Sequence, residues 1–209
     1  MKKKLSVGII DLERNNIFSI YHACKLCGYN PVIIKKNDTN YNYDFIILPG
    51  VGAFKGAIDF IKKNNIDKKL KNFLKNYKSG FIYGICLGMQ LMFEKSFEMG
   101  KNQGLGFIKG SVKELPKKKN FSSLNIGWKK VDLKINKKKN FYFVHSFFCE
   151  PIEKKIIVGN SRFGKKFFCA VLKTDKIIAT QFHPEKSGID GLNFLKKIPS
   201  IMKKNKYAI

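Results

Sequence analysis

Cys86 lies between two glycines in the run Gly84-Ile-Cys-Leu-Gly88, directly after a short apolar segment typical of a buried strand. Gly-x-Cys-x-Gly is the spacing of a nucleophile raised on a sharp strand-to-helix turn. Glycines suit such a turn because they hinder neither the bend nor an approaching substrate. A helix N-terminus favours the thiolate, and the N–H of Leu87 would point at a developing oxyanion. We therefore predict a nucleophilic, surface-accessible Cys86; the alternative is a small apolar residue beside two turn glycines.

A nucleophilic cysteine needs a base, and the chain has three histidines. His183 opens the run His-Pro-Glu, and residues i and i+2 of an extended segment point the same way, so His183 and Glu185 share a face. A carboxylate beside an imidazole fixes its tautomer and stabilises the imidazolium. The pattern predicts a triad of Cys86, His183 and Glu185. His145, which ends another predicted strand, is the alternative base, and His22 is interpreted as a surface or packing residue.

A third segment, Pro49-Gly-Val-Gly-Ala53, follows a predicted strand and opens a helix. Exposed N–H groups in such a loop form an anion-binding rim. Ligands of doubly wound sheets bind at the carboxyl edge, where the Cys86 turn is also expected. The loop therefore predicts a second oxyanion donor, although a plain turn is an alternative interpretation.

The elements that position these residues alternate between strand and helix through the first half of the chain. Strands are predicted at 5–10, 31–34, 44–48 and 81–85, with Gly28 ending the first helix and a helix break near Asn64. A further helix is predicted from Leu87 to about Phe97. This order indicates an α/β fold with a doubly wound, mostly parallel sheet flanked by helices.

After about residue 105 the pattern changes to short extended runs, which we expect to extend the sheet with antiparallel strands. These strands are predicted at 141–144, 156–161, 167–172 and 177–182, before a last helix from about Gly191. The lysine-rich runs 117–120 and 137–140 are predicted to be solvated hairpin tips. No linker separates the two halves, so one domain is expected over residues 1–209.

The charge balance is strongly basic, with 41 Lys and Arg against 15 Asp and Glu and a net charge of +26. The lysines are spread along the chain without aromatic interleaving, so salt-sensitive attraction to polyanions is expected but no specific nucleic-acid binding. No apolar run reaches the roughly 18 residues of a membrane span, and no export signal is recognised. We expect a cytoplasmic chain whose other cysteines, at 24, 27, 149 and 169, are buried reduced thiols and not metal ligands.

Four motifs together resemble the class I (triad) glutamine amidotransferases, and more narrowly the HisH-type glutaminase subunits of imidazole glycerol phosphate synthases. The resemblance runs in order over nearly the whole chain. The motifs are Pro49-Gly-Val-Gly-Ala-Phe54, Gly84-Ile-Cys-Leu-Gly-Met-Gln-Leu91, Tyr142-Phe-Val-His-Ser146 and Gln181-Phe-His-Pro-Glu-Lys-Ser187.

The resemblance implies that Cys86 attacks the carboxamide carbon of glutamine while His183, held by Glu185, manages the protons. Ammonia leaves, and water hydrolyses the glutamyl thioester. It also implies that the oxyanion is held by the N–H of Leu87 and by the Val51–Gly52 peptide.

For the amino-acid end of the substrate, the resemblance implies Gln90 and Glu98, assisted by main chain near Ser146 and Phe147. Neither a cofactor nor a metal ion is expected.

The resemblance further implies a heterodimer in which ammonia passes to a (βα)₈-barrel cyclase partner. That partner makes imidazole glycerol phosphate and an aminoimidazole carboxamide ribotide in histidine biosynthesis. Asn16, Trp128 and Lys186 occupy positions that would face it.

Two segments depart from the family pattern. The run 11–16 lacks the two glycines of Asp-x-Gly-x-Gly-Asn, and 124–129 keeps only Gly-Trp of Pro-His-Met-Gly-Trp-Asn. Both segments lie on the expected partner face and not in the triad. An alternative is therefore a paralogue that supplies ammonia to another acceptor, such as a surface-sugar amidation enzyme. A Cys-His hydrolase acting alone on peptides is a further alternative.

Overall fold

The first half of the chain alternates strands with helices, as predicted. The computed structural model describes residues 4–13, 17–116, 123–134 and 137–204. Gly28 has φ +84° where the first helix ends, and Asn65 has φ +55° between the second and third helices. The elements are β1 (Ser6–Ile10), α1 (Ile17–Leu26), β2 (Asn30–Ile34), β3 (Phe45–Leu48), α2 (Phe54–Lys63), α3 (Ile66–Asn76), β4 (Phe81–Ile85) and α4 (Leu87–Leu91).

The second half consists mainly of strands. Two 3₁₀ turns, Lys154–Ile156 and Pro184–Lys186, interrupt them, and the last helix begins at Gly188, slightly before the predicted start. The elements are β5 (Phe93–Ser96), β6 (Asn102–Gln103), β7 (Ile108–Glu114), β8 (Asn125–Leu133), β9 (Lys137–His145), β10 (Phe147–Pro151), β11 (Ile157–Phe163), β12 (Lys166–Lys173), β13 (Ile177–Thr180) and α5 (Gly188–Lys203).

A nine-stranded sheet with the order β2-β1-β3-β4-β13-β12-β11-β8-β9 forms the centre of the molecule. The strands from β2 to β13 are parallel, and those from β13 to β9 are antiparallel. The predicted α/β fold with antiparallel extension is thereby confirmed. Because β4 and β13 are parallel neighbours, their carboxyl ends bring Cys86 and the segment 181–185 to the same edge.

The central strands are buried on both faces, as expected of parallel strands covered by helices. In β3, Phe45 and Ile47 belong to a core that also contains residues of α1 and α5, whereas Ile46 and Leu48 face α2 and α3. The sheet is therefore a rigid platform between two helical layers. Among the helices in the described ranges, none is both long and apolar enough to cross a membrane.

The predicted helix from Leu87 to about Phe97 is wrong beyond Leu91. After one turn the chain enters β5, which pairs in parallel with β7 in a second sheet of order β10-β7-β5-β6. The carbonyls of Leu91 and Phe93 accept hydrogen bonds from the N–H groups of Leu105 and Gly106. These non-local partners outweigh the helical spacing of the apolar residues.

The lysine run 137–140 is not a hairpin tip, which corrects a second prediction. It begins β9 and pairs in register with β8, from Leu133 opposite Lys137 to Lys130 opposite Asn140. The other run, 117–120, lies outside the described residues.

Candidate active site

Cys86 occupies a strained turn between β4 and α4. It has φ +52° and ψ −108°, a region that non-glycine residues rarely adopt and that costs roughly 1–3 kcal/mol. Its N–H donates to the carbonyl of Thr180 at 2.8 Å, which ties the turn to β13. The residue is 6% exposed, so the predicted surface thiol is instead a mostly buried one.

The two flanking glycines are required by close packing and not by a left-handed backbone, since neither has a positive φ. A Cβ on Gly88 would lie 1.8 Å from the carbonyl oxygen of Leu48. A Cβ on Gly84 would lie 2.8 Å from Cε of Met92. The glycines therefore allow β3, β4 and α4 to approach one another. The positive φ falls on Cys86 itself.

His183 and Glu185 follow β13 and form a buried pair. The Nδ1 of His183 is 2.7 Å from Oε1 of Glu185, and the two side chains are 2% and 9% exposed. The backbone of His183 is held at both ends: its N–H donates to the carbonyl of Tyr142, and its carbonyl accepts from the Ser187 hydroxyl. The carboxylate accepts from Nδ1–H, which leaves Nε2 as the nitrogen that can exchange a proton with substrate.

Burial alone would lower the pKa of His183, but a negative charge on Cys86 and the hydrogen-bonded Glu185 carboxylate outweigh burial and raise the pKa to about 10. The Nε2 atom is itself buried and has no well-formed hydrogen bond among the described residues. The electrostatics therefore favour the imidazolium form of His183, whose positive charge the Glu185 carboxylate stabilises.

His145, the alternative base, has both ring nitrogens engaged elsewhere. Its Nδ1 lies 2.8 Å from the carbonyl of Phe147, which only accepts, so Nδ1 carries the proton and Nε2 accepts from the Asn125 amide at 2.9 Å. Burial lowers the pKa of His145 to about 4 despite the Phe147 bond. His145 is therefore neutral near pH 7, and its ring bridges Asn125 and the Phe147 carbonyl.

A cavity of about 400 Å³ opens over the Cys86 turn. The predicted oxyanion residues Val51, Gly52 and Leu87 all line it. Leu87 begins α4, so its N–H has no partner within the helix. Gly52 has φ +97°. The lining consists of Val51, Gly52, Cys86, Leu87, Gln90, Glu98, Leu124, Val144, His145, Ser146 and Phe147.

The four predicted substrate residues lie on this lining, but their polar atoms are partly engaged. The Gln90 Nε2 group donates to the carbonyl of Phe147 at 3.0 Å, and Oε2 of Glu98 accepts from the N–H of Phe54 at 3.0 Å. The carbonyl of Ser146 accepts from Leu115. The cavity lining therefore offers a ligand both the Glu98 carboxylate and the Cys86 thiol.

Sequence reasoning missed one residue at the nucleophile. The sulfur of Cys86 lies 3.8 Å from the carbonyl of Val144 and 3.7 Å from Nε2 of Gln181. Gln181 begins the run 181–187, in which the sequence points to a catalytic role only for His183 and Glu185. Its signal was present in the sequence, because it precedes His183 by two positions in extended backbone and so faces the same side.

The sequence model of the family described as glutamine amidotransferase class-I matches residues 8–197. This span contains the Cys86 turn, the Val51–Gly52 loop and the His183–Glu185 pair. The chain belongs to this family.

Similar proteins point to one branch of the glutamine amidotransferases. The imidazole glycerol phosphate synthase subunit HisH of Caldanaerobacter subterraneus subsp. tengcongensis is 37% identical over 205 residues, covering 94% of this chain and 98% of that protein. The subunit of the same name from Rhodopirellula baltica is 35% identical over 198 residues, covering 91% and 95%.

Solved structures share the glutamine amidotransferase fold. A chain in the structure of PurLQS from Thermotoga maritima superposes with a TM-score of 0.75 at 17% identity, covering 96% of this chain and 100% of that one. A crystal structure described as a glutamine amidotransferase gives 0.74 at 15% identity, covering 93% and 98%. At these identities the likeness supports the fold alone.

The residues predicted to face a partner lie near the His183 side of the amidotransferase. Trp128 is 56% exposed and packs edge-on against Tyr142, the residue whose carbonyl holds the His183 N–H. Lys186 is exposed and lines a small cavity that also contacts His183 and Glu185. Asn16 lies outside the described residues.

The remaining cysteines are buried and unbridged. Burial raises the pKa of Cys24, Cys27, Cys149 and Cys169 above the usual thiol range. In the part of the chain that the structure describes, no three His, Cys, Asp or Glu side chains cluster as metal ligands.

Proposed function

We propose that this chain is a cytoplasmic glutaminase, a single amidotransferase domain that hydrolyses glutamine to glutamate and ammonia. The observation that carries the proposal is the placement of Cys86 at positive φ on the wall of a substrate-sized cavity, beside a buried His183–Glu185 pair. Family membership supports the same chemistry.

The reaction follows from these positions. The Cys86 thiolate attacks the carboxamide carbon, and the carbonyl electron pair moves to oxygen, where Leu87 N–H and the Val51–Gly52 peptide donate to it. The intermediate collapses by breaking the C–N bond, and the His183 imidazolium gives its proton to the departing ammonia.

Deacylation reverses the proton movement. Neutral His183 accepts a proton from water as the water oxygen attacks the thioester carbon. Collapse of the second intermediate expels the Cys86 thiolate and releases glutamate. Glu185 accepts the Nδ1–H bond throughout, so it stabilises each imidazolium without exchanging a proton.

Glutamine is the substrate that fits the polar groups of the cavity. Glu98 offers a carboxylate for the substrate α-ammonium. Both N–H groups of the Gln90 amide have partners within the protein, so its oxygen is left as an acceptor. Main chain at Ser146 and Phe147 completes the wall near the substrate's amino-acid end.

The partner proposed is a (βα)₈-barrel cyclase that receives the ammonia and forms imidazole glycerol phosphate in histidine biosynthesis. Relatives named as HisH subunits of imidazole glycerol phosphate synthase support this assignment at 31–37% identity. The exposed Trp128 and Lys186 support a contact on the His183 side. The altered runs 11–16 and 124–129 favour, as a second candidate, a paralogue that serves a different acceptor enzyme.

The test measures glutamate and ammonia release by the purified chain, alone and with its cognate barrel cyclase and a phosphoribulosyl ligand. Strong stimulation, lost in Cys86→Ala, is the expected result. Glutaminase activity without stimulation would redirect the search to another acceptor. Peptide cleavage dependent on Cys86, without glutamine hydrolysis, would overturn the proposal in favour of a peptidase.

A further inference from the structure

Gln181 is a fully buried amide next to the nucleophile. Its side chain is 0% exposed, and its backbone N–H donates to the carbonyl of Ala170 at 2.9 Å. The side-chain Nε2 lies 3.7 Å from Sγ of Cys86, and Oε1 lies 3.3 Å from Nε2 of Gln90. A desolvated amide is tolerated because both of its ends have partners.

The neighbours of Gln181 determine which end of the amide faces the sulfur. The Nε2 group of Gln90 donates to the carbonyl of Phe147, which is only an acceptor. The Gln90 atom that faces Gln181 is therefore a donor, and the Gln181 atom opposite it must be oxygen. It follows that the nitrogen of Gln181 faces Cys86, so its N–H donates to sulfur.

We propose that Gln181 is a further catalytic residue of this site, whose amide donates a hydrogen bond to the Cys86 sulfur and stabilises its thiolate form. The proposal rests on the proposed glutaminase function for its rate effect. A donor to sulfur favours the anion over the thiol. The sulfur is a thiolate before acylation and again when the thioester is cleaved, so the bond acts in both half-reactions.

Few other groups near the sulfur change charge between pH 6 and 9. His183, with Glu185 behind it, is the charged neighbour, and its pKa is raised to about 10. Burial lowers the pKa of His145 to about 4 and raises that of Cys149 well above its usual range, so both stay neutral. A shift in the pH at which Cys86 ionises, caused by a substitution at Gln181, can therefore be measured without interference from these groups.

The experiment compares the full chain with Gln181→Met, which keeps side-chain length without a donor, and Gln181→Glu, which places an acceptor there. The rate of iodoacetamide alkylation at Cys86 is followed from pH 5 to 10 by peptide mass mapping. In Gln181→Met the midpoint of the rate profile is expected to rise by about one pH unit, because a donor to an anion is lost. In Gln181→Glu it rises further.

Steady-state glutamine hydrolysis supplies a second readout. The kcat of Gln181→Met is expected to fall about tenfold, with KM for glutamine changed less than about threefold, since the cavity lining is kept. Gln103→Met is the matched control, because Gln103 is exposed on β6, away from the cavity lining. It should leave the midpoint, kcat and KM unchanged.

Three results would overturn the proposal. One is an unchanged alkylation midpoint in a folded Gln181→Met chain. Another is a rise in KM alone, which would mean that Gln181 only supports Gln90. If Gln181→Met does not fold, a midpoint in Gln181→Glu equal to that of the parent chain would overturn it as well. A shifted midpoint in a chain without glutaminase activity would keep the thiolate role and refute the proposed function separately.

Discussion

Gly88 lies directly against Leu48, so closely that a Cβ at Gly88 would stand 1.8 Å from the Leu48 carbonyl oxygen. The two residues belong to different parts of the site. Gly88 is in the first turn of α4, and Leu48 is the last residue of β3, just before the Val51–Gly52 loop. The contact therefore fixes the nucleophile turn against the start of the second oxyanion segment.

Gly88→Ala should disrupt both segments together. The carbonyl of Leu48 is backbone and cannot rotate away, so we expect a loss of about 1–3 kcal/mol in the free energy of unfolding. Glutaminase activity should fall by at least about a hundredfold. Urea denaturation and ammonia release check the two effects. Gly100→Ala is the control for a glycine-to-alanine change without a clash, because a Cβ at Gly100 would have nothing within 4 Å; its φ of +102° should lower stability, but activity should be kept. A fully active Gly88→Ala chain would contradict the structure.

Cys86→Ala and Cys86→Gly should both abolish ammonia release while differing in stability. Alanine keeps the strain of φ +52°, whereas glycine relieves it. We expect the glycine variant to be more stable than the alanine variant by about 1 kcal/mol, as measured by thermal and urea unfolding. Equal stabilities would mean that the turn is unstrained in solution.

Glu185→Gln should leave weak residual turnover, since Glu185 assists His183 without reacting. The raised pKa of His183, about 10, lies above the usual unfolded value of about 6.5. Its contribution to stability is therefore complete below about pH 6.5 and is lost as the pH rises toward 10. In Glu185→Gln this loss should begin at lower pH.

An NMR titration of the His183 ring, with ammonia release measured in parallel, checks the Glu185→Gln prediction. Cys86→Ala is the companion variant, because the negative charge of Cys86 also raises the pKa of His183. The midpoint should fall in both variants. Unchanged activity in Glu185→Gln would remove Glu185 from the triad.

His145 should make stability depend on pH in the opposite direction. Burial lowers its pKa to about 4. Between about pH 6.5 and pH 4 the unfolded chain therefore binds a proton on His145 that the folded chain does not bind. Stability should therefore decline as the pH falls through this window, by on the order of 3 kcal/mol in all. Urea titrations of wild type and His145→Phe at pH 7.5 and 4.5 separate the contribution of His145 from that of the carboxylates, which also titrate at acidic pH. An identical pH dependence in both proteins would refute it.

Trp128→Ala should weaken the stimulation of glutaminase by a cognate cyclase at least about tenfold, because a large exposed aromatic side chain is a strong interface anchor. Activity of the chain alone should stay within about twofold, since Trp128 does not line the cavity. Ile152→Ala, an exposed apolar residue just after β10 in the second sheet, is the control. Calorimetry of association and stimulated kinetics measure both variants. Equal losses in both would argue against a partner contact at Trp128.

Much of the site was predictable because its parts are local in the sequence. Gly-x-Cys-x-Gly indicates a turn whatever surrounds it, and His-Pro-Glu places two side chains on one face by backbone alternation alone. The strands β3 and β4 were equally clear, since each is a continuous apolar run.

The parts that escaped prediction depend on partners distant in the chain. Phe93–Ser96 has no local feature that marks it as a strand; its pairing with β7 and the packing of Gly104 against the Phe93 carbonyl decide the outcome. Gln181 escaped for a related reason. The direction of its amide follows only once Gln90 and Phe147 are placed beside it.

The outer edge of β9 also bears on how copies of this chain avoid pairing with one another. β9 is the last strand of the nine-stranded sheet, and an outermost strand offers its backbone as a template for pairing with another molecule. At Tyr142 that edge is already occupied within the chain, because the Tyr142 N–H donates to the Ser187 hydroxyl and the Tyr142 carbonyl accepts from the N–H of His183. The segment that carries His183 therefore also covers part of the sheet edge and protects it from edge-to-edge pairing with another molecule.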